Sequence, residues 1–353
     1  NEVEKLSGRF NFTHQATDRL RLGANLTLTN TEYDRIGADN STFAPLTSAY
    51  LQTPWTTPTD ANGAYVNTGF IANVLAIEAL DVNTAVLKRT TGNAFLEFDI
   101  MEDLTIKTDF GVDAVFVENK QKSQEVNSPG GYGYNGIVQD NKWLNTTSLN
   151  YNKEISEDHY FGGLLGVSYE TSKRKDIDVE GTGFVADALP NVASASTPTT
   201  TSNTQTEWAL FSVFSRFNYR YQNKYLLEAS LRRDGSSRFG SNKRYGMFWA
   251  VSAGWIISDE AFMDNVSFLD YLKLSASYGI SGNDRVTNFA SRGLYSSSAV
   301  VGVDSNYGGN PGLRPSAAAN KDLGWEETAQ MDITLNATLF NNKLDIEASF
   351  YQK

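Results

Sequence analysis

Cysteine is absent from this chain of 353 residues, and histidine occurs only twice, at His14 and His159. Disulfide frameworks, thiolate nucleophiles, cysteine-bound zinc and iron–sulfur clusters are therefore excluded. Two histidines are too few for a histidine-rich metal centre, and the sequence has no G-x-S-x-G, P-loop or H-E-x-x-H motif. We therefore expect no metal, no cofactor and no enzymatic activity.

Basic residues and long apolar runs are also scarce. There are 30 Lys and Arg against 41 Asp and Glu, which gives a formal net charge of −11 and argues against a nucleic-acid partner. The longest apolar stretch, residues 70–80, is too short for a transmembrane helix and already contains Glu78. A membrane protein built from helices is therefore excluded.

What the sequence has instead is alternation with a period of two residues. In residues 19–30, Leu or Ala occupies every second position and polar residues or Gly fill the positions between. The same pattern returns in residues 104–113, 329–339 and 344–350. Such alternation is typical of β-strands with one apolar and one polar face.

The predicted strands are long, and the segments that connect them are uneven. About twelve strands of roughly nine to twelve residues are expected, which is the length that a tilted strand needs to cross a bilayer. Short links alternate with long polar stretches at about 31–87, 114–141, 171–206 and 281–323. Transmembrane β-barrels show this asymmetry between short periplasmic turns and long extracellular loops. We therefore predict an all-β, antiparallel transmembrane β-barrel.

Aromatic residues near many strand ends are consistent with interfacial girdles, although they also suit the core of a soluble protein. Those singled out are Phe10, Phe12, Trp143, Tyr151, Tyr169, Trp208, Tyr219, Tyr225, Trp255, Tyr278, Trp325 and Phe340.

Two other architectures remain open at this point. One is a passive, porin-like barrel closed by about twelve strands, and the other is a soluble glycan-binding β-sandwich. If the short turns are periplasmic, both ends of the chain lie on the outer side, whereas a complete bacterial barrel starts and ends in the periplasm. This topology favours a piece of a larger barrel.

Aromatic residues in the predicted loops are the candidate ligand contacts, because they can stack on sugars or grip peptide side chains. The glycine-rich segment 131–136 is predicted to be a mobile loop with two exposed tyrosines rather than a dinucleotide site, since it does not link a strand to a helix. The candidates are Trp55, Tyr65, Tyr132, Tyr134, Tyr295 and Tyr307.

The segment 224–240 carries the most specific motif, KYLLEASLRRDGSSRFG. Together with 251–263 and 272–283, it resembles the SusC/RagA-like TonB-dependent outer-membrane transporters of Bacteroidetes. We interpret the motif as structural, with a tight turn at Asp234-Gly235-Ser236-Ser237 in which glycine supplies a positive φ, followed by Arg238 and Phe239.

The resemblance implies a fold and a function for the larger protein. It implies a barrel of about 22 strands, of which residues 1–353 supply the central part, without the plug domain. It further implies a TonB-dependent importer of oligosaccharides or oligopeptides in the lipid of the cell outer membrane. A SusD-like surface lipoprotein is the expected partner, and TonB with ExbB and ExbD would act through N-terminal parts that this chain does not contain.

Overall fold

The computed structural model describes residues 2–36, 41–297, 310 and 312–353. Twelve strands form one antiparallel sheet in which almost every strand pairs with its neighbours in sequence. The strands of the sheet are β1 (Glu2–Thr17), β2 (Leu20–Asp34), β3 (Val82–Met101), β4 (Leu104–Ser123), β5 (Tyr132–Ser156), β6 (His159–Phe184), β7 (Ala195–Tyr221), β8 (Tyr225–Ser236), β9 (Tyr245–Ile256), β10 (Leu269–Asn283), β13 (Glu326–Leu339) and β14 (Leu344–Gln352).

Smaller elements lie in the connections. The strands β11 (Leu294–Ser296) and β12 (Arg314–Ala317) form a separate two-stranded sheet between β10 and β13. The helices α1 (Pro45–Leu51) and α2 (Val74–Leu80) lie between β2 and β3. Within the described ranges, neither helix has the length and apolar character required to cross a bilayer.

Connections at one end of the sheet are short, and those at the other end are longer. Residues 18–19, 102–103, 157–158, 222–224 and 340–343 form the tight turns. Asn223, Asn341 and Asn342 have positive φ angles there, between 56° and 61°, which asparagine tolerates better than most residues. A longer segment at this end, residues 257–268, contains two 3₁₀ turns. The predicted asymmetry of the connections is thus present.

Two of the predicted loops are much shorter than expected. Residues 114–123 and 132–141 continue β4 and β5, and residues 171–184 and 195–206 continue β6 and β7. Only 124–131 and 185–194 connect these hairpins. The prediction was wrong because the alternation is lost in the extensions, where residues 114–117 are all apolar and 118–123 and 171–176 are all polar, although the cross-strand pairing continues.

The apolar positions of successive strands fall into continuous cross-strand rows. For example, Leu227 pairs with Ala253, Ala253 with Ala276, and Ala276 with Ile333. These side chains are not covered, since Leu227 is 54% exposed and Ile333 is 40% exposed. A β-sandwich would bury this face against a second sheet, and the part of the chain that the structure describes has no such sheet. The uncovered apolar face does not fit the β-sandwich alternative.

The sheet has two free edges within the described residues. There β1 pairs only with β2, and β14 pairs only with β13. The twelve strands therefore do not close on themselves, which does not fit the alternative of a closed twelve-stranded barrel.

Candidate functional site

Aromatic side chains form two clusters on the apolar face. At the short-turn end, the rings of His159, Tyr221, Tyr225 and Trp255 follow one another across four strands, with centroids 4.8 to 6.4 Å apart. Toward the other end, Trp143 lies 6.0 Å from Phe110 and 5.2 Å from Tyr169. Trp208 and Trp325, which were predicted to belong to such girdles, lie on the polar side of the sheet instead.

The spacing of the two clusters matches a bilayer. His159 and Tyr169 lie on the same strand, about ten residues apart. At about 3.3 Å per residue and a tilt of about 40°, this separation corresponds to about 25 Å along the membrane normal. An apolar band of that height between two aromatic girdles is the lipid-facing surface of a transmembrane barrel.

The opposite face of the sheet is polar, and its charges are paired. Arg89 and Asp113 form a bidentate pair with distances of 2.8 and 2.7 Å, and Arg216 donates to Glu228 over 2.6 Å. These pairs join neighbouring strands, β3 to β4 and β7 to β8. A polar face of this kind suits the water-filled interior of a barrel.

A cavity of about 580 Å³ lies at the long-connection end, between the segment after β2 and the ends of β3 to β5. Arg35, Asn83 and Tyr132 are in its lining, together with Glu78 and Asp81. Among the described residues, Nε of Arg35 and Oδ1 of Asn83 are buried without a hydrogen-bond partner. These two atoms are covered by protein, and it is the charged lining, Arg35 with Glu78 and Asp81, that gives the cavity the capacity to bind a polar ligand.

Tyr134 lies near this cavity on the polar face of β5. Its hydroxyl donates to Oδ1 of Asp178 over 2.8 Å. Burial and this hydrogen bond raise the pKa of Tyr134 to about 12, and burial beside Glu180 also raises the pKa of Tyr132. A side chain at Gly136 would overlap the Tyr134 hydroxyl, so the glycine leaves room for the ring to lie along the strand.

The predicted aromatic ligand contacts are not brought together as a group. Tyr132 and Tyr134 are half-buried residues of β5, not exposed members of a glycine-rich loop as predicted. Trp55 is 81% exposed in the segment between β2 and α2, and Tyr295 is 67% exposed in β11.

Of the two remaining candidates, Tyr65 lies within the described residues and Tyr307 does not. Tyr65 is half-buried and forms a β-bridge with Thr59. Of the five candidates within the described residues, only Tyr132 belongs to the cavity lining.

The signature residues Asp234, Gly235 and Ser236 belong to β8 and not to a turn, which corrects the prediction. Gly235 pairs with Tyr245 and is not among the positive-φ glycines of the described residues. A side chain there would overlap the Tyr245 ring, so the glycine is needed for a close approach and not for a turn. The actual turn is 237–244, because strand pairing continues past the position at which the sequence pattern predicted its end.

The buried carboxylate of Asp234 is held by one arginine. Nε of Arg232 donates to both carboxylate oxygens over 2.7 and 2.8 Å, and its Nη2 donates to Oγ of Ser212 over 2.8 Å. Asp234 is only 7% exposed, and Ser212 is fully buried. The triad fixes the register between β7 and β8 at the end of the sheet.

Arg238 connects the turn 237–244 to two other parts of the chain. Its guanidinium lies 4.4 Å from the centre of the Trp208 ring. It also donates to Asp284 over 2.9 Å and to Oδ1 of Asn288 over 2.9 Å. This arginine therefore attaches the segment after β10 to β7.

Phe239 completes the connection. Its ring is 1% exposed and packs 4.8 Å from Trp325, which also lies 5.1 Å from Phe248. The backbone N–H of Gly240 donates to the carbonyl of Leu323 over 2.9 Å. These contacts hold the turn 237–244 against the segments after β10 and before β13, which supports a structural interpretation of the signature.

Sequence reasoning missed a second set of contacts between connections. The side chain of Asn73 is buried and donates to the carbonyls of Pro58 and Val66 over 2.7 and 2.9 Å. Its backbone N–H donates to Oδ1 of Asn127 over 2.7 Å. The sequence signals these contacts only through the position of Asn73 just before α2, where asparagine is a preferred helix-capping residue.

Known proteins resemble this chain over most of its length. The family model described as TonB dependent receptor-like, beta-barrel, matches residues 32–352. TonB-dependent receptor P39 of Formosa agariphila is 34% identical over 305 residues, which is 83% of this chain and 28% of that protein. TonB-dependent receptor SusC of Bacteroides thetaiotaomicron is 30% identical over 227 residues, 60% of this chain and 21% of that protein.

Solved structures agree with this relationship. The RagAB peptide transporter superposes with a TM-score of 0.83 and 28% identity, over 99% of this chain and 40% of that chain. The siderophore receptor PiuA of Acinetobacter baumannii, at 11% identity and a TM-score of 0.52, shares the fold alone. The chain spans less than half the length of each of these proteins. By its sequence and its strands alike, the chain belongs to the family of TonB-dependent receptor β-barrels, among their SusC-like members.

Proposed function

We propose that this chain forms the central barrel segment of a TonB-dependent outer-membrane importer for oligopeptides or oligosaccharides. The observation that carries the proposal is the match to the RagAB peptide transporter, which extends over 99% of the chain at a TM-score of 0.83. The uncovered apolar face between two aromatic girdles supports placement in a membrane. The relatives are receptors and transporters, which supports a role other than catalysis.

The free edges of β1 and β14 support the view that further strands complete the barrel. Unpaired backbone groups at a sheet edge are not tolerated in contact with lipid, because no water is present there to satisfy them. The chain corresponds to 28% of receptor P39 and 40% of the RagAB chain that it matches. We infer that about ten more strands close a barrel of about 22 strands, and that plug and TonB-binding parts belong to the same larger protein.

The cavity at the long-connection end is our candidate for ligand contact. It combines the carboxylates of Asp34, Glu78 and Asp81 with the guanidinium of Arg35. Groups of both signs suit a peptide, which carries both an amine and a carboxylate, better than a neutral sugar. Tyr132 supplies an aromatic surface there, and the ligand-binding role of Trp55, Tyr65, Tyr134, Tyr295 and Tyr307 remains a prediction.

Partners follow from the same proposal. The long connections, which would be extracellular, are the surface on which a SusD-like lipoprotein would sit. TonB with ExbB and ExbD would supply energy from the proton-motive force through parts outside this chain. We propose no nucleic-acid partner, in line with the net charge of −11.

An uptake experiment tests the proposal. Cells with and without the gene for the full-length protein are given fluorescent oligopeptides or oligosaccharides, in the presence and absence of TonB. We expect gene-dependent uptake that is abolished without TonB or after collapse of the proton-motive force. Uptake that is unaffected by TonB would support the passive barrel instead, and recovery of the protein without detergent would support the β-sandwich.

A further inference from the structure

Three lysines on the apolar side of the sheet form no ion pair, unlike most basic residues on the polar side. Ten ion pairs occur within the described residues, and most join strands on the polar face or hold connections. Lys88, Lys173 and Lys175 take part in none of these pairs, and their side chains make no hydrogen bond within the described residues. Three cations are therefore available on one surface.

Strand register places these three lysines together. Lys88 pairs with Phe116, Phe116 with Gln139, and Gln139 with Lys175. Three strand spacings separate Lys88 from Lys175, which is about 14 Å. Lys173 lies two residues from Lys175 and therefore on the same face, about 7 Å away.

The lysine cluster, Lys88, Lys173 and Lys175, begins immediately beyond the outer aromatic girdle. Trp143 pairs with Thr171, so Lys173 is the next residue of β6 on the same face in the direction away from the short turns. Asn141 and Gln139 lie between the lysines on β5, and their amides are further hydrogen-bond donors. The cluster is thus at the level where lipid headgroups meet the protein surface.

Acidic residues share this surface with the cluster, and one of them, Glu32, lies two residues from Asn30, the partner of Lys88 on β2. Glu207 pairs in register with Lys173, and Glu118 lies two residues from Phe116, but neither forms an ion pair with a lysine of the cluster in the described structure. Lys120 lies farther from the girdle, and Lys122 is 3% exposed beneath the ring of Phe184.

An apolar groove lies on the same face, on the membrane side of the girdle. It has a volume of about 560 Å³ and is lined by Leu165 and Val167 of β6, with Ile106, Leu149 and Val213 from the neighbouring strands, and Arg233 of β8 is the one charged residue in this lining. Thr147 and Ser215 are the small residues that leave the space open. A groove of this shape and lining accommodates an acyl chain.

We propose that the lysine cluster and this groove together bind a phosphorylated glycolipid of the outer membrane leaflet. The lysines bind its phosphate, the amides of Gln139 and Asn141 donate to the headgroup, and an acyl chain lies in the groove below Tyr169. The net charge of −11 on this chain opposes a non-specific attraction to an anionic lipid surface, so the attraction has to be local. The inference rests on the proposed location in the outer membrane.

Lipid binding to the full-length transporter, purified from outer membranes in mild detergent, tests this site. The probe is purified phosphorylated lipid A, compared with the same lipid after enzymatic removal of phosphate, and bound lipid is counted by native mass spectrometry. The variant carries Lys88→Gln, Lys173→Gln and Lys175→Gln. The matched control carries Lys5→Gln, Lys273→Gln and Lys343→Gln, which remove the same charge from the polar face and a short turn.

We expect the triple variant to bind the phosphorylated lipid at least tenfold more weakly, because each lysine near an anionic headgroup contributes about fivefold. The control variant should bind like the wild type. Dephosphorylated lipid should bind the wild type as weakly as phosphorylated lipid binds the variant. Equal binding of both lipids by the wild type, or no loss in the triple variant, overturns the site.

Two further measurements allow the site to be tested even if the triple variant is unstable. If the triple variant does not accumulate, the comparison of the two lipids on the wild type decides the question. Millimolar inorganic phosphate should not displace the lipid, and displacement would show a site for the free ion instead. Binding is measured without transport, so that a failure of import leaves this result intact, and loss of lipid binding leaves energised import intact.

Discussion

Gly240 shows how one residue without a side chain joins two distant connections. Its backbone N–H bonds to the carbonyl of Leu323, and a Cβ at this position would overlap the backbone carbonyl of Lys321. Backbone atoms cannot rotate away as a side chain can. The turn 237–244 and the segment before β13 therefore depend on this glycine for their close approach.

Gly240→Ala should separate these connections. We expect a destabilisation of about 1–3 kcal/mol, seen as a lower melting temperature of the full-length protein in detergent and faster proteolysis within residues 284–325. Gly8→Ala is the control, since nothing lies within 4 Å of a Cβ there. Unchanged proteolysis of the Gly240 variant would show that the two connections are not coupled.

Asp81, which lies outside the membrane-spanning part, should make the stability of its surroundings depend on pH. Burial raises its pKa above the ordinary 3.8, although its carboxylate accepts from the backbone N–H of Gln124 over 2.9 Å. Since the pKa of Asp81 is higher in the folded state, the contribution of its protonated form to the free energy of unfolding is fully present below pH 3.8. It is lost as the pH rises through the raised value.

The free energy of opening of the segment that holds Asp81 and Gln124 should therefore fall as the pH rises from about 4 through the raised pKa, because burial of the charged carboxylate costs more than its hydrogen bond to Gln124 returns. Hydrogen exchange at the Gln124 amide, corrected for the intrinsic rate, measures this. In Asp81→Asn, which keeps an acceptor oxygen without a charge, protection should not change over the same range. Identical pH profiles for the two proteins would contradict the assignment to Asp81.

At the scale of elements, the connections support one another more than they pack on the sheet. Asn73 connects the segment before α2 to the loop 124–131, and the N–H of Glu125 in that loop donates to Asp187 in the next connection over 3.1 Å. Most of the fully buried residues lie in these connections or at the signature. The elongated hairpins β4–β5 and β6–β7 bring them to the same level.

Asn73→Ala should open the segment between β2 and β3. The carbonyls of Pro58 and Val66 lose their donor and the α2 N-terminus loses its cap, which together destabilise by about 2–4 kcal/mol. Hydrogen exchange should increase across residues 41–81 and in 124–131, while amides of β8 and β9 stay protected. Asn62→Ala, at an exposed turn, is the matched control and should change nothing.

At the scale of the whole molecule, the two faces of the sheet differ in polarity. The apolar face is uncovered and bounded by aromatic girdles, whereas the polar face carries paired charges. Ile333 and Asn336 lie on the same strand and on opposite faces. They allow the membrane assignment to be tested within one element.

Ile333→Arg should destabilise the full-length protein by about 2–4 kcal/mol, the cost of a charge at the lipid-facing midplane. Asn336→Arg should be close to neutral, because the residue faces the polar side, where Glu347 on one neighbouring strand offsets the like charge of Lys273 on the other. Unfolding in lipid vesicles by denaturant gives both values. Equal effects of the two substitutions would show that the apolar face does not contact lipid.

The sequence by itself determined the strands, the barrel class and the family. Alternation in segments such as 329–339 is a local property, because every second side chain of a strand lies on the same face. The signature around Asp234 identified the family in the same way.

Only the tertiary structure decided the length of the hairpins, the place of Asp234 within β8, the contacts of Asn73 and the cluster of Lys88 with Lys173 and Lys175. Each of these depends on pairing between residues far apart in the chain, which local alternation does not encode.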